Sequence, residues 1–328
     1  MSIDRIGIIG GGAWGTALAQ VAAAGGEVLL WAHEPEVAEA VNTRRLNPLY
    51  LPGVPLDPAI RATHRLDDLV GCDALMVVTP AQHMRAILGA APVDATPLML
   101  CAKGIEAGTM ALMSEAAAET CPAAPIAVLS GPTFAGEVAQ GLPTAVTLAC
   151  ADEALGMALA ERIAQPYFRP YLSSDVIGAE VGGAVKNVLA IACGVVEGAE
   201  LGRNARAALI ARGFAEMARF GSARGARFET LAGLSGLGDL VLTCSSEQSR
   251  NFSLGLGLGR GEAAAALLAD RRTVAEGAFT APVLVAAAQA AGVEMPIAAA
   301  VADLIAGRLT VGDAMAALLA RPLRGEEL

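Results

Sequence analysis

The chain has 328 residues, enough for about two domains, and 54% of them are hydrophobic, 17% charged and only 4% aromatic. A formal net charge of -10 excludes nucleic acid as a general partner, because a phosphate backbone would be repelled; a small phosphorylated ligand stays open, since a few buried basic groups invert the local field. The N-terminus lacks a basic segment leading into a purely apolar one, so no signal peptide is read, and the apolar runs 181–196 (with Lys186 and Asn187) and 277–293 (with Pro282 and Gln289) are not convincing membrane spans.

The first predicted strand is Ile3–Ile9 and the first helix Trp14–Ala24. Between them Gly10, Gly12 and Gly15 fit G-x-G-x-x-G. In this strand-to-helix context Gly10 permits the tight turn, Gly12 lets backbone approach a pyrophosphate, and Gly15 lets the helix pack closely on the sheet. The free amides of the helix start then face phosphate oxygens. A dinucleotide site is therefore expected here. A second strand, Glu27–Trp31, ends in Ala32-His33-Glu34. An acid at that end would hold the ribose 2′-hydroxyl of NAD; His33 stands near that place instead, which favours NADPH, while Glu34 keeps NAD open.

Asn47–Pro58 reads as a loop, and Asp67–Val70 as a short helical turn. Asp73–Val78 is a buried strand followed by Thr79-Pro80, with Pro80 expected at the first helical position after a Thr cap. Strand Pro97–Ala102 delivers Lys103-Gly104 at its end, where ligands sit in such sheets. Helix Met110–Glu119, strand Ile126–Leu129, the rigid turn Ser130–Ala135, strand Thr144–Ala149, helix Asp152–Ala164 and strand Phe168–Leu172 complete an α/β region.

From about Ile177 the alternation of strands vanishes and long Ala- and Leu-rich helical runs take over. In the helix Glu180–Glu197, apolar on every side, Lys186 needs an acid, a phosphate or a cofactor nearby, because a buried unpaired ammonium is costly. Asn187 is turned about a third of the way round the same helix, so the two need not point into one site. A second helix covers Asn204–Phe220. Asp239 and Thr243, four apart after the loosening Gly236 and Gly238, share a face if helical. Ser249-Arg250-Asn251 ends a polar stretch that reads as a lining, and arginine matches phosphate oxygens bidentately. The glycines at 255, 257, 259 and 261 have no preceding strand and are not a second nucleotide loop. Helices Ala278–Ala291 and Ala298–Ala306 follow, and Thr310 is expected to cap the last one. Six cysteines without a C-x-x-C pair read as buried free thiols in a reducing cytoplasm. With three histidines, all early, no metal site is expected.

Taken together, Gly10–Ala19, Lys103-Gly104, Leu129–Ala135, Gly183–Val188, and Gly236–Cys244 with Ser249–Asn251 resemble bacterial NAD(P)-dependent glycerol-3-phosphate dehydrogenase over nearly the whole chain. The resemblance implies an α/β Rossmann-like domain over 1–177, then an all-α domain over 178–328 like the C-terminal part of 6-phosphogluconate dehydrogenase. The implied activity is reversible reduction of dihydroxyacetone phosphate to sn-glycerol 3-phosphate, in the cytoplasm, for glycerophospholipid synthesis. Lys186 is implied as catalytic acid or base. Lys103, Gly131, Thr133, Lys186, Asp239, Thr243, Ser249, Arg250 and Asn251 are implied around substrate. Gly10, Gly12, Ala13, Trp14, Gly15, His33, Lys103, Ala135, Arg250, Val274 and Glu276 are implied for a cofactor that is NADP or NAD, NADPH favoured. No metal, nucleic acid or stable membrane insertion is implied. The oligomeric state is not fixed by the sequence; a homodimer is compatible with it. Gly11 departs from the alanine of many family members, at a variable position of the loop. Two rival readings are a β-hydroxy-acid or sugar-acid dehydrogenase of the same architecture, and a non-catalytic nucleotide sensor.

Overall fold

The computed structural model of the chain describes residues 3–269 and 275–321. It divides into two compact units: residues up to Lys103 together with Met113–Val176, and Gly104–Leu112 together with the residues from Ile177 on. The segment Gly104–Leu112 is an excursion that the sequence reading does not contain. Its ends, Ile105 and Leu112, form a β-bridge and are buried in the apolar cluster of the helical unit. Met110 takes a left-handed φ of 61° inside it, and the helix expected from Met110 accordingly starts at Met113.

The first unit carries eight strands: β1 Arg5–Ile9, β2 Glu27–Trp31, β3 Ile60–Thr63, β4 Ala74–Val77, β5 Leu98–Leu100, β6 Ile126–Ser130, β7 Thr144–Cys150 and β8 Phe168–Ser173. They form one sheet in the order β3-β2-β1-β4-β5-β6-β7-β8. Every neighbouring pair is parallel except β6 with β7. Ile9 lies level with Trp31 on one side and Val77 on the other, so β1, β2 and β4 end together. The chain winds outward from β1 to β3, then returns to β4. The crevice beyond the ends of β1 and β4 is thus a topological switch point, where sheets of this kind bind ligands. The apolar runs of β1 and β4 are buried on both faces, as parallel strands covered by crossover helices must be.

Two expectations are corrected here. No strand is read between Pro58 and Asp67, yet β3 lies there. Its four residues Ile-Arg-Ala-Thr form a short edge strand with only its two ends buried, too brief for a periodic signal. Pro80 is not helical: at φ −56°, ψ 140° it stays extended and precedes a short 3-10 turn, Ala81–His83, while Thr79 makes no capping bond.

The second unit is helical. Its long helix Val176–Gly198 is long and apolar enough to cross a membrane by length and composition, but 89% of its most apolar window is buried inside the fold. Around it the unit has helices Arg203–Ala223, Arg250–Gly259, Glu276–Ala290, Pro296–Ile305 and Val311–Leu319. Thr310 and Asp313 form a full capping box at the start of the last helix, as the sequence leads one to expect. The glycines at 255, 257 and 259 lie in helix Arg250–Gly259, where Gly255 and Gly259 face the backbone of Val176–Gly198, and Gly261 follows the helix end at a left-handed φ of 86°.

Candidate active site

At the end of β1 the chain turns through Gly10, whose φ of +131° suits glycine, and whose added Cβ would stand 2.7 Å from the Val78 carbonyl oxygen. Gly12 precedes helix Ala13–Ala23, and a Cβ there would meet nothing within 4 Å, so the loop has open space over its backbone. Gly15 has no such room, because a Cβ would collide with the Gly10 carbonyl oxygen. The helix start has no side-chain cap and no acidic residue in its first turn, leaving amides for an anion. Gly11 also matters sterically: the alanine common in the resembled family would bring its Cβ to 2.5 Å from that of Ala32.

Three buried polar atoms along the carboxyl ends of β1, β4 and β6 have no hydrogen-bond partner among the described residues: Trp14 Nε1, Thr79 Oγ1 and Ser130 Oγ. Buried polar groups left unsatisfied are costly and rare. Trp14 follows the glycine loop and Thr79 follows β4, at the switch point, while Ser130 ends β6 two strands on; with the open glycine loop, this row of polar groups fits a dinucleotide cofactor with many polar atoms. His33 is exposed two residues beyond the end of β2 and contacts the Trp31 ring edge to face at 6.1 Å. Helix Ala135–Ala139 packs against helix Ala13–Ala23, which puts Ala135 beside the loop helix.

Beyond β5 and β6 a second set forms. Gly131, at φ +155°, turns its carbonyl oxygen to accept from Lys103 Nζ at 3.2 Å and from Thr133 Oγ1 at 3.3 Å. Lys103, Gly131 and Thr133 are therefore one cluster. The nearby Cys101 thiol is pushed up to about 12 by burial, so it stays protonated and unreactive.

The helical unit brings together a third set. Lys186 Nζ donates to Asp239 Oδ1 at 2.8 Å and to Thr243 Oγ1 at 2.9 Å, and the Thr243 hydroxyl donates to Asp239 Oδ1 at 3.2 Å. Lys186 is 7% exposed and Asp239 fully buried. The pairing follows from packing. Leu234–Gly238 forms a π-helical turn, a device frequent at functional sites, before the short helix Asp239–Thr243. Gly182, one turn before Lys186, has no room for a Cβ because the Ser235 carbonyl lies against it. Burial pushes the neighbouring Cys244 thiol up, and the Cys193 thiol reinforces this.

Asn187 reaches the adjoining segment. Its Oδ1 accepts from Asn251 Nδ2 at 3.0 Å, and Asn251 Oδ1 accepts from the Gly277 amide at 2.9 Å. The start of helix Glu276–Ala290, and with it Glu276, is thereby tied to Asn251. Ser249 caps helix Arg250–Gly259 by accepting from the Phe252 amide at 3.2 Å. Arg250 is exposed at the first position of that helix, whose first turn carries no acid, and makes no hydrogen bond or ion pair among the described residues. Val274 lies outside the described residues.

Sequence reasoning passes over one contributor. Asn47, fully buried in the loop after the second helix, donates from Nδ2 to the Gly11 carbonyl and to Thr16 Oγ1, each at 2.8 Å. Its signal is slight: one amide side chain in a Pro- and Leu-rich loop. Asn187 is read as turned away from Lys186. It is, and the two flanking segments take one residue each.

A family model described as the NAD-dependent glycerol-3-phosphate dehydrogenase N-terminus matches residues 5–156, and the corresponding C-terminus model matches residues 175–316. The chain is 62% identical over 326 residues to glycerol-3-phosphate dehydrogenase (NAD(P)+) 1 of Sphingopyxis alaskensis, covering 99% of each chain. It is 59% identical over 330 residues to the corresponding Caulobacter vibrioides enzyme, covering 99% of this chain and 100% of that one. The crystal structure of glycerol-3-phosphate dehydrogenase from Coxiella burnetii superposes with a TM-score of 0.92 at 39% identity, covering 97% of this chain and 99% of that one.

Proposed function

The chain belongs to the NAD-dependent glycerol-3-phosphate dehydrogenase family and catalyses the NAD(P)-linked interconversion of dihydroxyacetone phosphate and sn-glycerol 3-phosphate; from that premise we propose that Lys186 is its catalytic acid–base and that its product supplies glycerophospholipid synthesis in the cytoplasm. The buried, free state of all six cysteines suits a reducing compartment. A homodimer is the chain's proposed assembly, which sedimentation velocity tests.

The observation that carries the proposal is the buried Lys186–Asp239–Thr243 cluster. Asp239 and Thr243 fix the direction of the ammonium without a long flexible reach. A fixed donor costs little reorganisation when negative charge develops on the substrate's C2 oxygen. Lys186 both stabilises that charge and gives up its proton to the oxygen; in the reverse direction it accepts the alcohol proton. Arg250, assisted by the unacidified start of its helix, grips the substrate phosphate, with Ser249 and Asn251 shaping that segment. Binding energy from the phosphate orients the carbonyl. Lys103, Gly131 and Thr133 line the substrate, Lys103 also serving the cofactor. Gly10, Gly12, Ala13, Trp14, Gly15, His33 and Ala135 hold the dinucleotide, with Arg250, Val274 and Glu276 completing its site. When bound, NADH or NADPH supplies the hydride for substrate C2.

The test is paired. Lys186→Met keeps most of the apolar stem and deletes the ammonium. It is expected to bind NADPH like the wild type and to reduce dihydroxyacetone phosphate about 10²–10⁴-fold more slowly in a single turnover. Near wild-type single-turnover rates would make Lys186 a structural lysine only.

A further inference from the structure

The loop Asn47–Leu51 holds a device beyond the cofactor loop itself. Asn47 pins it to Gly11 and Thr16, its own Oδ1 accepts from the Tyr50 amide at 3.2 Å, and Asn47 and Leu51 form a β-bridge with Leu51 buried. The turn is thus built, and it carries the Tyr50 hydroxyl to a fixed place. There the hydroxyl donates to Glu34 Oε1 at 2.8 Å. Glu34 directly precedes helix Pro35–Arg44, in the position whose side chain often caps the helix, yet its carboxylate makes no capping bond. It is held on the loop instead. Burial, then the Glu34 hydrogen bond and the charges of Glu34 and Glu36, push the Tyr50 phenol up to about 12, so the hydroxyl keeps its proton and the bond stays formed at working pH.

Glu34 is the first carboxylate after β2, three residues past its end. In doubly wound sheets an acid at the end of the second strand takes the ribose 2′-hydroxyl of NAD, and its charge repels the 2′-phosphate of NADP. We propose that Tyr50 is a specificity-determining residue: by latching the Glu34 carboxylate onto the Asn47–Leu51 turn, it withholds that carboxylate from the 2′ position and so admits the 2′-phosphorylated dinucleotide. The inference rests on the assignment of this loop and strand end to the cofactor. His33, exposed between β2 and Glu34, is left as the residue nearest the 2′ group in sequence.

Freed from the latch, Glu34 regains its rotamers. It gains a charge-assisted bond to a 2′-hydroxyl and opposes a 2′-phosphate. Tyr50→Phe removes only the hydroxyl and keeps the ring. Fluorescence titration with NADPH and NADH, and calorimetry with 2′-phospho-ADP-ribose and ADP-ribose, are expected to show the ratio of affinities moving against the 2′-phosphorylated ligand by on the order of tenfold. In the Tyr50→Phe/Glu34→Gln double variant the ratio is expected to return to that of Glu34→Gln alone. An unchanged ratio in Tyr50→Phe overturns the proposal. So does a shift that survives in the double variant, since the cause would then be loop packing and not the carboxylate. If the wild-type protein binds neither pair of ligands, the cofactor assignment itself falls, and the latch with it. Wild-type binding with an unmoved ratio leaves the assignment standing and removes only the latch.

Discussion

The backbone of Gly255 packs directly on the carbonyl of Ile191, leaving no room for a Cβ between them. Gly194 meets the Phe252 carbonyl and Gly259 the Val195 carbonyl in the same way. Helices Val176–Gly198 and Arg250–Gly259 thus approach backbone to backbone, which holds Asn187 and Asn251 within one hydrogen bond. Gly255→Ala would add helix propensity but wedge the pair apart, a net loss of about 1–3 kcal/mol from overpacking. Gly257→Ala is the control, because the atoms nearest its Cβ would be those of the movable Leu267 side chain, from 2.6 Å. Thermal unfolding is expected to show a clearly lower Tm for Gly255→Ala than for Gly257→Ala. Equal values would mean that the helix contact is easily relaxed.

That contact also shows what the sequence could and could not reveal. The absence of a preceding strand was enough to deny the Gly-Leu repeat a nucleotide, but its partner helix is some sixty residues earlier and leaves no local mark. The glycine loop, the long apolar runs and the change from strands to helices near Ile177 were legible because each is a local pattern. β3 was not, being four residues at a sheet edge. Asp239 and Thr243 could be placed on one face by spacing alone; that Lys186 meets both depends on the π-helical turn at Leu234–Gly238 and on Gly182, which no periodicity announces. Asn47 was silent because its work is to bind backbone across the chain, a contact that residue type does not specify.

The Lys186–Asp239 pair sets a prediction about stability as well as chemistry. Removing one member of a buried ion pair strands the other, at a cost of about 3–5 kcal/mol. Asp239→Asn is expected to lower stability by that order, and Lys186→Met likewise. The Lys186→Met/Asp239→Asn double variant, with neither charge left, is expected to be less destabilised than the sum of the two. Denaturant unfolding of all four proteins measures this coupling. Strict additivity would show that the two charges do not depend on each other in the folded protein.

Asn47→Ala tests the clamp on the glycine loop. It removes the amide shared by the Gly11 carbonyl and the Thr16 hydroxyl, which keep only their own bond to each other at 3.4 Å, and it releases the Tyr50 amide. Stability is expected to fall by about 1–3 kcal/mol, the cost of unsatisfied buried groups. In the proposed cofactor site the loop amides meet the pyrophosphate, so affinity for both NADH and NADPH is expected to fall, by on the order of tenfold. Because Asn47 also builds the turn that carries Tyr50, the loss is expected to be larger for NADPH than for NADH. Cofactor titration beside denaturant unfolding decides it: a loss of stability with unchanged affinity would confine Asn47 to the scaffold.

Glu216 provides a pH dependence remote from the proposed chemistry. Its carboxylate is 2% exposed and accepts from the Ile297 amide at 2.8 Å and the Ala298 amide at 3.2 Å, at the start of helix Pro296–Ile305. Those two amides, at the positive end of the helix, and the charges of Arg219 and Arg321 favour the ionised form. Burial opposes them and wins, pushing the group up to about 7 from its ordinary 4.5. The folded protein therefore holds this proton more tightly than the unfolded chain. Glu216 favours folding most below pH 4.5. That contribution is lost as pH rises from 4.5 through about 7, where the unfolded carboxyl is ionised and the folded one is forced to follow. The span corresponds to a loss on the order of 3 kcal/mol by the top of the window. Glu216→Gln cannot ionise but keeps one acceptor for the helix amides. It is expected to remove this downward slope between pH 5 and 7 while costing some stability at the acid end, where wild-type Glu216 is neutral and well bonded. Urea unfolding of both proteins at half-unit steps of pH reads the difference directly. A wild-type-minus-variant stability difference that stays flat across that window would mean that Glu216 keeps an ordinary acidity despite its burial, and that the helix amides outweigh the missing water.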